Sequence, residues 1–340
     1  MLVQTCLVIR KMSYINYSII IPHKNIPKLL QRCLDSIPQR ADLEVIVVDD
    51  NSDPNIVNFE KFPGFDRKDT TIIFDKSGKG AGRARNIGLQ HAQGKWLLFA
   101  DADDYFNYCI RDILDEYRED VAEIVFFSAS SVDSLTYTNV NRADYVNDFI
   151  DYYLNNPNEG ENILRYVHAA PWAKLVKSQL IRNNDIRFQE TIINNDVRFS
   201  YRIGYHAKNL KVDKRALYCL TYRGNSIQYS ISEEKILESM NVLGEREGFL
   251  IEHGIQVSSA FVWGGKEYIA RLADFWESNN LDLYNRCLKI LSSYNVPLRQ
   301  TEVLVKEELK YRRSLRGENW LSNIRRRLAI RTKLRSLLKG

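Results

Sequence analysis

No stretch of this sequence is apolar for long enough to cross a bilayer. The longest runs, Tyr17 to Pro22 and Trp96 to Ala102, are strand-sized, far short of the roughly 20 residues a spanning helix needs. Cysteine is scarce as well. The five cysteines (Cys6, Cys33, Cys109, Cys219, Cys287) are odd in number, scattered and never paired as C-x-x-C. That pattern argues against a disulfide framework or a cysteine zinc site and suits a reducing, cytoplasmic setting. The five histidines show no H-x-x-x-H or similar spacing, so structural roles are expected for most of them. There is no P-loop, and the dinucleotide fingerprint begun at Gly80 and Gly82 breaks at Arg85, which argues against a nicotinamide enzyme. Met1 to Arg10 lacks a basic start, a long apolar core and a small-residue cleavage site. It reads as a loose extension, with Met12 as a candidate start.

What is present is an ordinary folded chain. Its 340 residues are 44% hydrophobic and 27% charged, close to the average for soluble globular proteins and enough for one large or two moderate domains. The net charge of +5 is local, because residues 311–340 carry ten Lys or Arg and one Glu. No internal repeat or low-complexity tract occurs.

Up to about residue 130, short β-rich runs alternate with helical patterns, which predicts an α/β fold with a largely parallel sheet. The expected strands are Tyr17 to Ile21, Glu44 to Val48, Thr70 to Phe74, Trp96 to Ala100 and Glu123 to Phe127. Leu29, Leu30, Cys33, Leu34 and Ile37 recur at helical spacing after Pro27, a residue suited to a first turn. Further helices are expected from about Gly82 to His91 and from about Asn107 to Glu119, and past Ser232 the pattern is mostly helical. The expected division is an extension over 1–15, a main domain over 16–230, a helical region over 231–317 and a basic tail over 318–340.

Four polar stations stand out, most of them at strand ends, where ligands of such sheets gather. In Val47-Val48-Asp49-Asp50-Asn51-Ser52 a carboxylate could accept from a pyrimidine base or ribose hydroxyl, or merely cap the next element. Phe99-Ala100-Asp101-Ala102-Asp103-Asp104 sets two carboxylates two residues apart after an apolar strand. Such a pair suits a hard cation shared with a diphosphate, although Asp104 could instead open the next helix. Lys79 to Gly88, KGAGRARNIG, offers backbone N–H groups and guanidinium to a diphosphate, or else a solvated helix whose arginines pair with surface acids. Asn194-Asn195-Asp196-Val197 places a carboxylate where it could be a base or an N-cap. Trp172-Ala173-Lys174 lies upstream of it, and Tyr222 to Ser226 lies downstream.

Together these stations resemble the family-2 glycosyltransferases of GT-A fold over roughly residues 16 to 229. The matching text is Ser18 to Asn25 (SIIIPHKN), Val47 to Ser52, the R-A-R-N-x-G segment up to Gly88 and Asp101-Ala102-Asp103-Asp104, with Ala170 to Lys174 and Asn195-Asp196 similar to the acceptor-side half. The resemblance implies a GT-A, Rossmann-like mixed-sheet domain followed by a mostly helical C-terminal region. It implies an inverting transfer from a nucleotide-diphosphate sugar, most commonly a UDP-sugar, to a hydroxyl acceptor. By that likeness Pro22 and Asp50 would line the base and ribose pocket, and Arg85 would approach the phosphates. Asp101 would contact ribose or the metal shell, Asp103 would ligate Mn²⁺ or Mg²⁺, and Asp196 would be the general base. The family usually shows Glu-Asp at the last motif, where this chain has Asn195-Asp196. Processive members carry Q-x-x-R-W and several membrane spans, and neither is present, so transfer of one or a few sugars is expected. The family's habit suggests capsule, lipopolysaccharide or other surface-polysaccharide assembly, with a glycan or lipid-linked glycan as acceptor.

In the tail, Trp320, Leu321, Ile324, Leu328, Leu334, Leu337 and Leu338 alternate with arginine and lysine. This describes an interfacial helix that could lie on anionic lipid at the inner face of the cell membrane, or a basic helix packed on the body. No aromatic-basic interleaving points to nucleic acid. Trp263 and Trp276, with Phe261, Tyr268 and Leu272, are expected in the core of the helical region. Two rival functions stay open: a sugar nucleotidyltransferase, which would normally show a G-x-x-T-R loop where this chain reads Pro22 to Pro27, and a nucleotide-sugar-binding module without catalysis.

Overall fold

β1 (Tyr17–His23) is buried along its whole length, because it lies at the centre of a sheet with both faces covered. The computed structural model describes residues 14–223, 232–257 and 267–316. The basic tail, Phe261, Trp263, Gly224 to Ser226 and all but the end of the 1–15 extension lie outside that range. β1 pairs in parallel with β2 (Leu43–Asp50) on one side and with β4 (Trp96–Phe99) on the other, and β2 pairs in parallel with β3 (Thr70–Asp75). The order is β3-β2-β1-β4-β7-β6-β8-β5. Successive strands thus first move outward from β1 in one direction and then restart on its other side. Carboxyl ends flanking such a reversal form a crevice.

Beyond β4 the sheet becomes mixed. β7 (Lys174–Lys177) runs antiparallel to both β4 and β6 (Ile124–Asp133), β6 is parallel to β8 (Leu210–Tyr222), and β5 (Tyr105–Phe106) is antiparallel to β8. The first four expected strands are present and the fifth continues six residues further. β8 escapes the sequence reading because Lys211, Asp213, Lys214 and Arg215 interrupt its apolar alternation.

Alternate residues of the central strands feed two cores, as the two-residue side-chain period of a strand requires. Ile19, Ile21, Val45 and Val47 face α1 (Pro27–Asp35) and α3 (Ile110–Glu116). Ile20, Ile46 and Val48 face α2 (Ala81–His91), α5 (Pro157–Tyr166) and α7 (Val197–His206). Pro27 occupies the first turn of α1, where its missing N–H costs nothing. α4 (Asp144–Asn155) and α6 (Ser178–Asn183) complete the helices of this half.

The remaining described helices are α8 (Glu233–Glu252), α9 (Glu267–Glu277), α10 (Leu281–Ser293) and α11 (Leu298–Arg316). They share a third core around Met240, Leu243, Leu272 and Leu291. α8 also packs on α7, with Val242 and Phe249 meeting Val197 and Tyr201. Tyr268 and Leu272 are buried, as expected, whereas Trp276 is half exposed against Tyr284. No described helix is long and apolar enough to cross a membrane.

Candidate active site

The carboxyl end of β2 delivers two adjacent aspartates that do different work. Asp49 faces inward: His23 Nδ1 lies 2.8 Å from it, and Ser52 donates both its amide and its hydroxyl to it. The Ile26 amide donates to His23 Nε2, so the His23 proton sits on Nδ1 and points at the carboxylate. Burial alone would raise the Asp49 carboxyl, but these bonds outweigh it and hold it below the usual range. Asp49 therefore closes the turn. Asp50, also buried, reaches past the end of the strand, where it accepts from the Gly80 amide at 3.1 Å and from Lys24 Nζ at 3.1 Å. Pro22 is buried in register with Val48, two residues before that lysine.

α2 begins at Gly80, whose φ of 90° favours a residue without Cβ. Two residues on, a Cβ at Gly82 would stand 1.9 Å from the Gln189 carbonyl oxygen and 3.1 Å from Asn195 Cβ. The missing side chain thus lets the 189–195 segment press directly onto the helix. One turn later Arg85 is nearly buried. It donates to Asp101 Oδ1 at 2.6 Å and to Asn195 Oδ1 at 2.7 Å, with Phe188 under its guanidinium. Arg85 is therefore not a surface-pairing arginine, whereas Arg83, paired with Asp75 and near Glu190, is. Asn195, where the family pattern has Glu, accepts from Arg85 as a neutral amide.

Three carboxylates crowd the turn after β4. Asp104 is buried, accepts from the Thr221 amide at 2.7 Å and caps no helix. Burial, with Asp103 and Asp101 nearby, raises its carboxyl well above the usual range. Burial and the charge of Asp101 also push Asp103 up, against the pull of Arg223. Arg223 binds Asp103 Oδ2, while Arg32 and Thr221 hold the Asp103 carbonyl. The Tyr218 hydroxyl receives the Asp101 amide at 2.8 Å and its ring stacks on Trp172.

Burial raises Asp103 and Asp104 most, and mutual repulsion adds to it. A hard cation would relieve that repulsion in competition with Arg85 and Arg223, which already pair with Asp101 and Asp103. No group of three or more His, Cys, Asp or Glu in metal-binding geometry occurs among the described residues, so diphosphate oxygens and water would complete the shell.

Asp196 stands at the N-cap of α7 but makes no side-chain capping bond. Its carboxylate is thus free of the structural duty that its position suggests. Burial raises it above the usual carboxylate range, while Arg85 and Lys174 pull it down and Asp101 pushes it up. Asn194, two residues before it, adopts φ 56°, a left-handed conformation that asparagine tolerates. A cavity of about 490 Å³ between α2 and the 187–191 segment, lined by Asn86, Gln90, Phe188 and Arg198 among others, contains none of the expected site residues.

Arg85 therefore joins the Asp101 turn to the Asn195-Asp196 loop, and Asp50 meets the same helix at Gly80. Sequence reasoning missed Lys24, Arg32, Thr221 and Tyr218 as supports of the site, and Arg223 was noted only as a flank. All are common residue types whose contacts come from distant elements, and only Arg223, within the Tyr222 to Ser226 flank, carried a signal in the sequence.

This arrangement defines a GT-A class domain, with carboxylates clustered at the switch point of the sheet and another carboxylate, Asp196, opening α7. This chain matches the model of glycosyl transferase family 2 over residues 18–174 and carries a domain of that family there. It is 23% identical over 246 residues, 70% of its length, to glycosyltransferase GlyA of Streptococcus pneumoniae, covering 35% of that protein. It is 25% identical over 240 residues, 67% of its length, to the poly(ribitol-phosphate) beta-N-acetylglucosaminyltransferase TarS of Staphylococcus aureus, covering 39% of that protein. The chain thus spans little more than a third of these relatives. The fold is shared with a crystal structure of S. aureus TarS 1-349 in complex with UDP-GlcNAc, at a TM-score of 0.63 and 21% identity over 95% of this chain and 92% of that one.

Proposed function

We propose that this protein transfers a single sugar, with inversion, from a UDP-sugar to a hydroxyl of a surface-glycan acceptor. The observation that supports this most is the unspent Asp196 carboxylate, which caps nothing and lies within the electrostatic reach of Asp101 and Arg85. A carboxylate so placed, raised by burial above its ordinary range, suits a general base. Asp196 takes the proton of the acceptor hydroxyl as its oxygen forms the new bond to the anomeric carbon. The bond to the diphosphate oxygen breaks on the opposite face, so the configuration inverts. Asp50 and Pro22 position the nucleoside, and Arg85 orients the pyrophosphate. Asp103, with Asp101 beside it, would hold Mn²⁺ or Mg²⁺, whose chemistry there is to neutralise charge on the departing diphosphate. A surface-polysaccharide role is supported by the likeness to TarS and GlyA. We also propose that residues 318–340 bind anionic membrane; deleting them should release the protein from phosphatidylglycerol vesicles, and unchanged sedimentation would refute this.

The test is a thermal-shift panel of UDP-, GDP- and dTDP-sugars with Mn²⁺, since a bound donor stabilises the fold by mass action, followed by nucleotide-release assays with EDTA as control. Stabilisation by one UDP-sugar, with release that EDTA abolishes, supports the reading. No stabilisation by any member, with or without metal, overturns it.

A further inference from the structure

Asn195 stands immediately before Asp196 and is fixed from two sides. Its Oδ1 accepts from Arg85 at 2.7 Å, and its carbonyl accepts from the Gln189 amide at 3.0 Å. A guanidinium can only donate, so the amide oxygen is the end turned to Arg85. The other end, Nδ2, stays an N–H donor with no hydrogen-bond partner among the described residues. One residue earlier, Asn194 Nδ2 donates to Ser239 Oγ of α8 at 2.8 Å. The loop is thus tied to α8 through Asn194 and to α2 through Asn195.

The group that holds Asn195 is itself tightly placed. Arg85 is 5% exposed, gives its other amino group to Asp101 Oδ1 at 2.6 Å and lies over the Phe188 ring. Its Nε is buried and has no partner. Among the described residues Arg85 therefore has a single carboxylate partner, Asp101. Arg85, Asp101 and Asn195 together carry no net charge. A carboxylate at position 195 would accept the same bond from Arg85, but it would make the trio net negative, next in sequence to a further carboxylate. An incoming anion would meet that charge at short range, where like charges repel. The neutral amide avoids this, and it presents an N–H where a carboxylate would present a second oxygen.

Resting on the proposed donor site, we propose that Asn195 is a positioning residue that latches the loop carrying Asp196 onto Arg85 and, being uncharged, keeps the guanidinium attractive to the donor's pyrophosphate. Arg85 then serves the leaving diphosphate and the base loop together. The loop is seated against the group that holds the donor, and the amide is what allows both contacts. An acidic residue in the same place would make the latch and repel the anion.

The experiment compares Asn195→Asp and Asn195→Ala with the parent protein, using UDP and uridine as calorimetric probes and UDP-GlcNAc for kinetics. Asn195→Asp is isosteric and keeps an acceptor for Arg85, so the latch stays while the charge changes. It should weaken UDP binding about tenfold and leave uridine, which carries no phosphate, within about twofold. Asn195→Ala removes the latch and adds no charge, so UDP binding should stay within about twofold while kcat falls at least about tenfold through misplacement of the base. Asn195→Asp binding UDP as tightly as the parent, or losing UDP and uridine equally, overturns the proposal, and so does Asn195→Ala with kcat unchanged. Should Asn195→Ala not fold, Asn195→Ser gives the same reading. A parent protein that binds UDP yet transfers no sugar defeats the transferase reading alone, and the binding comparison still decides on Asn195. A parent protein that does not bind UDP overturns both.

Discussion

The guanidinium of Arg85 holds Asp101 at 2.6 Å, across the gap between the start of α2 and the end of β4. Its second amino group binds Asn195, so one buried side chain joins the donor-side turn to the loop that carries Asp196. Arg85→Ala removes both bonds and leaves a partly exposed carboxylate unpaired. We expect a stability loss of about 1–2 kcal/mol, discounted for the exposure of Asp101, and a far larger fall in kcat/KM. Arg85→Lys keeps the charge without the fork and should recover stability better than activity. Urea unfolding and steady-state kinetics on the two variants separate these effects.

Gly82→Ala tests the contact between α2 and the 189–195 segment that leads to Asp196. The added Cβ would collide with the Gln189 carbonyl, a backbone atom, so the 189–195 segment must move. Overpacking of this kind costs roughly 1–3 kcal/mol. The displacement should lower kcat more than it weakens UDP binding by titration calorimetry. Equal losses in both would place the contact outside the acceptor side.

The paired aspartates of β2 should behave differently. Asp49→Ala leaves His23 and Ser52 without their buried acceptor, at about 1–3 kcal/mol per orphaned group, and should lower the melting temperature by several degrees. Asp50→Ala also removes an acceptor, from the Gly80 amide and the half-exposed Lys24, so it should lower melting less and, unlike Asp49→Ala, weaken UDP binding. Melting curves and calorimetry on the two variants check the contrast.

Lys174 provides a test by pH. Burial lowers it to about 7 from an ordinary 10.5, so between those values the unfolded chain binds the proton more tightly than the folded one. Folding stability from this group therefore rises with pH over that window and is lost as pH falls through it. Urea midpoints measured from pH 7 to 10 should rise less steeply in Lys174→Met than in the parent protein.

Much of the fold was legible because the central strands are buried on both faces and read as unbroken apolar runs, Tyr17 to Ile21 and Glu44 to Val48 above all. β8 was not, because its partly exposed first half is interrupted by charged residues and only Leu217 to Thr221 are deeply buried. The same gap hid Tyr218, Thr221 and Arg223, which reach the Asp101–Asp104 turn from that strand and its end. In the site, residue type and strand-end position marked Asp50, Asp101, Asp103 and Asp196. What they could not tell is which carboxylate of a neighbouring pair faces the crevice. That depends on the pleat for Asp49 and Asp50, and on the distant Thr221 amide for Asp104.

The proposed cation site after β4 makes its own prediction. Asp103 sits above the ordinary carboxylate range, so protons would compete with a bound cation. Mn²⁺-dependent UDP binding should strengthen as pH rises through that raised value, and Asp103→Asn should abolish the metal dependence. Calorimetry of UDP with and without Mn²⁺ from pH 5 to 8 reads both effects.

The most direct measurement is Asp196→Asn, an isosteric change that removes the proposed base and leaves the proposed donor-binding residues in place. UDP binding by calorimetry should stay within about twofold of the parent, while sugar transfer falls by at least the 10²-fold typical of losing a general base. Weakened UDP binding with turnover preserved would contradict the placement of Asp196 across the sugar from the diphosphate.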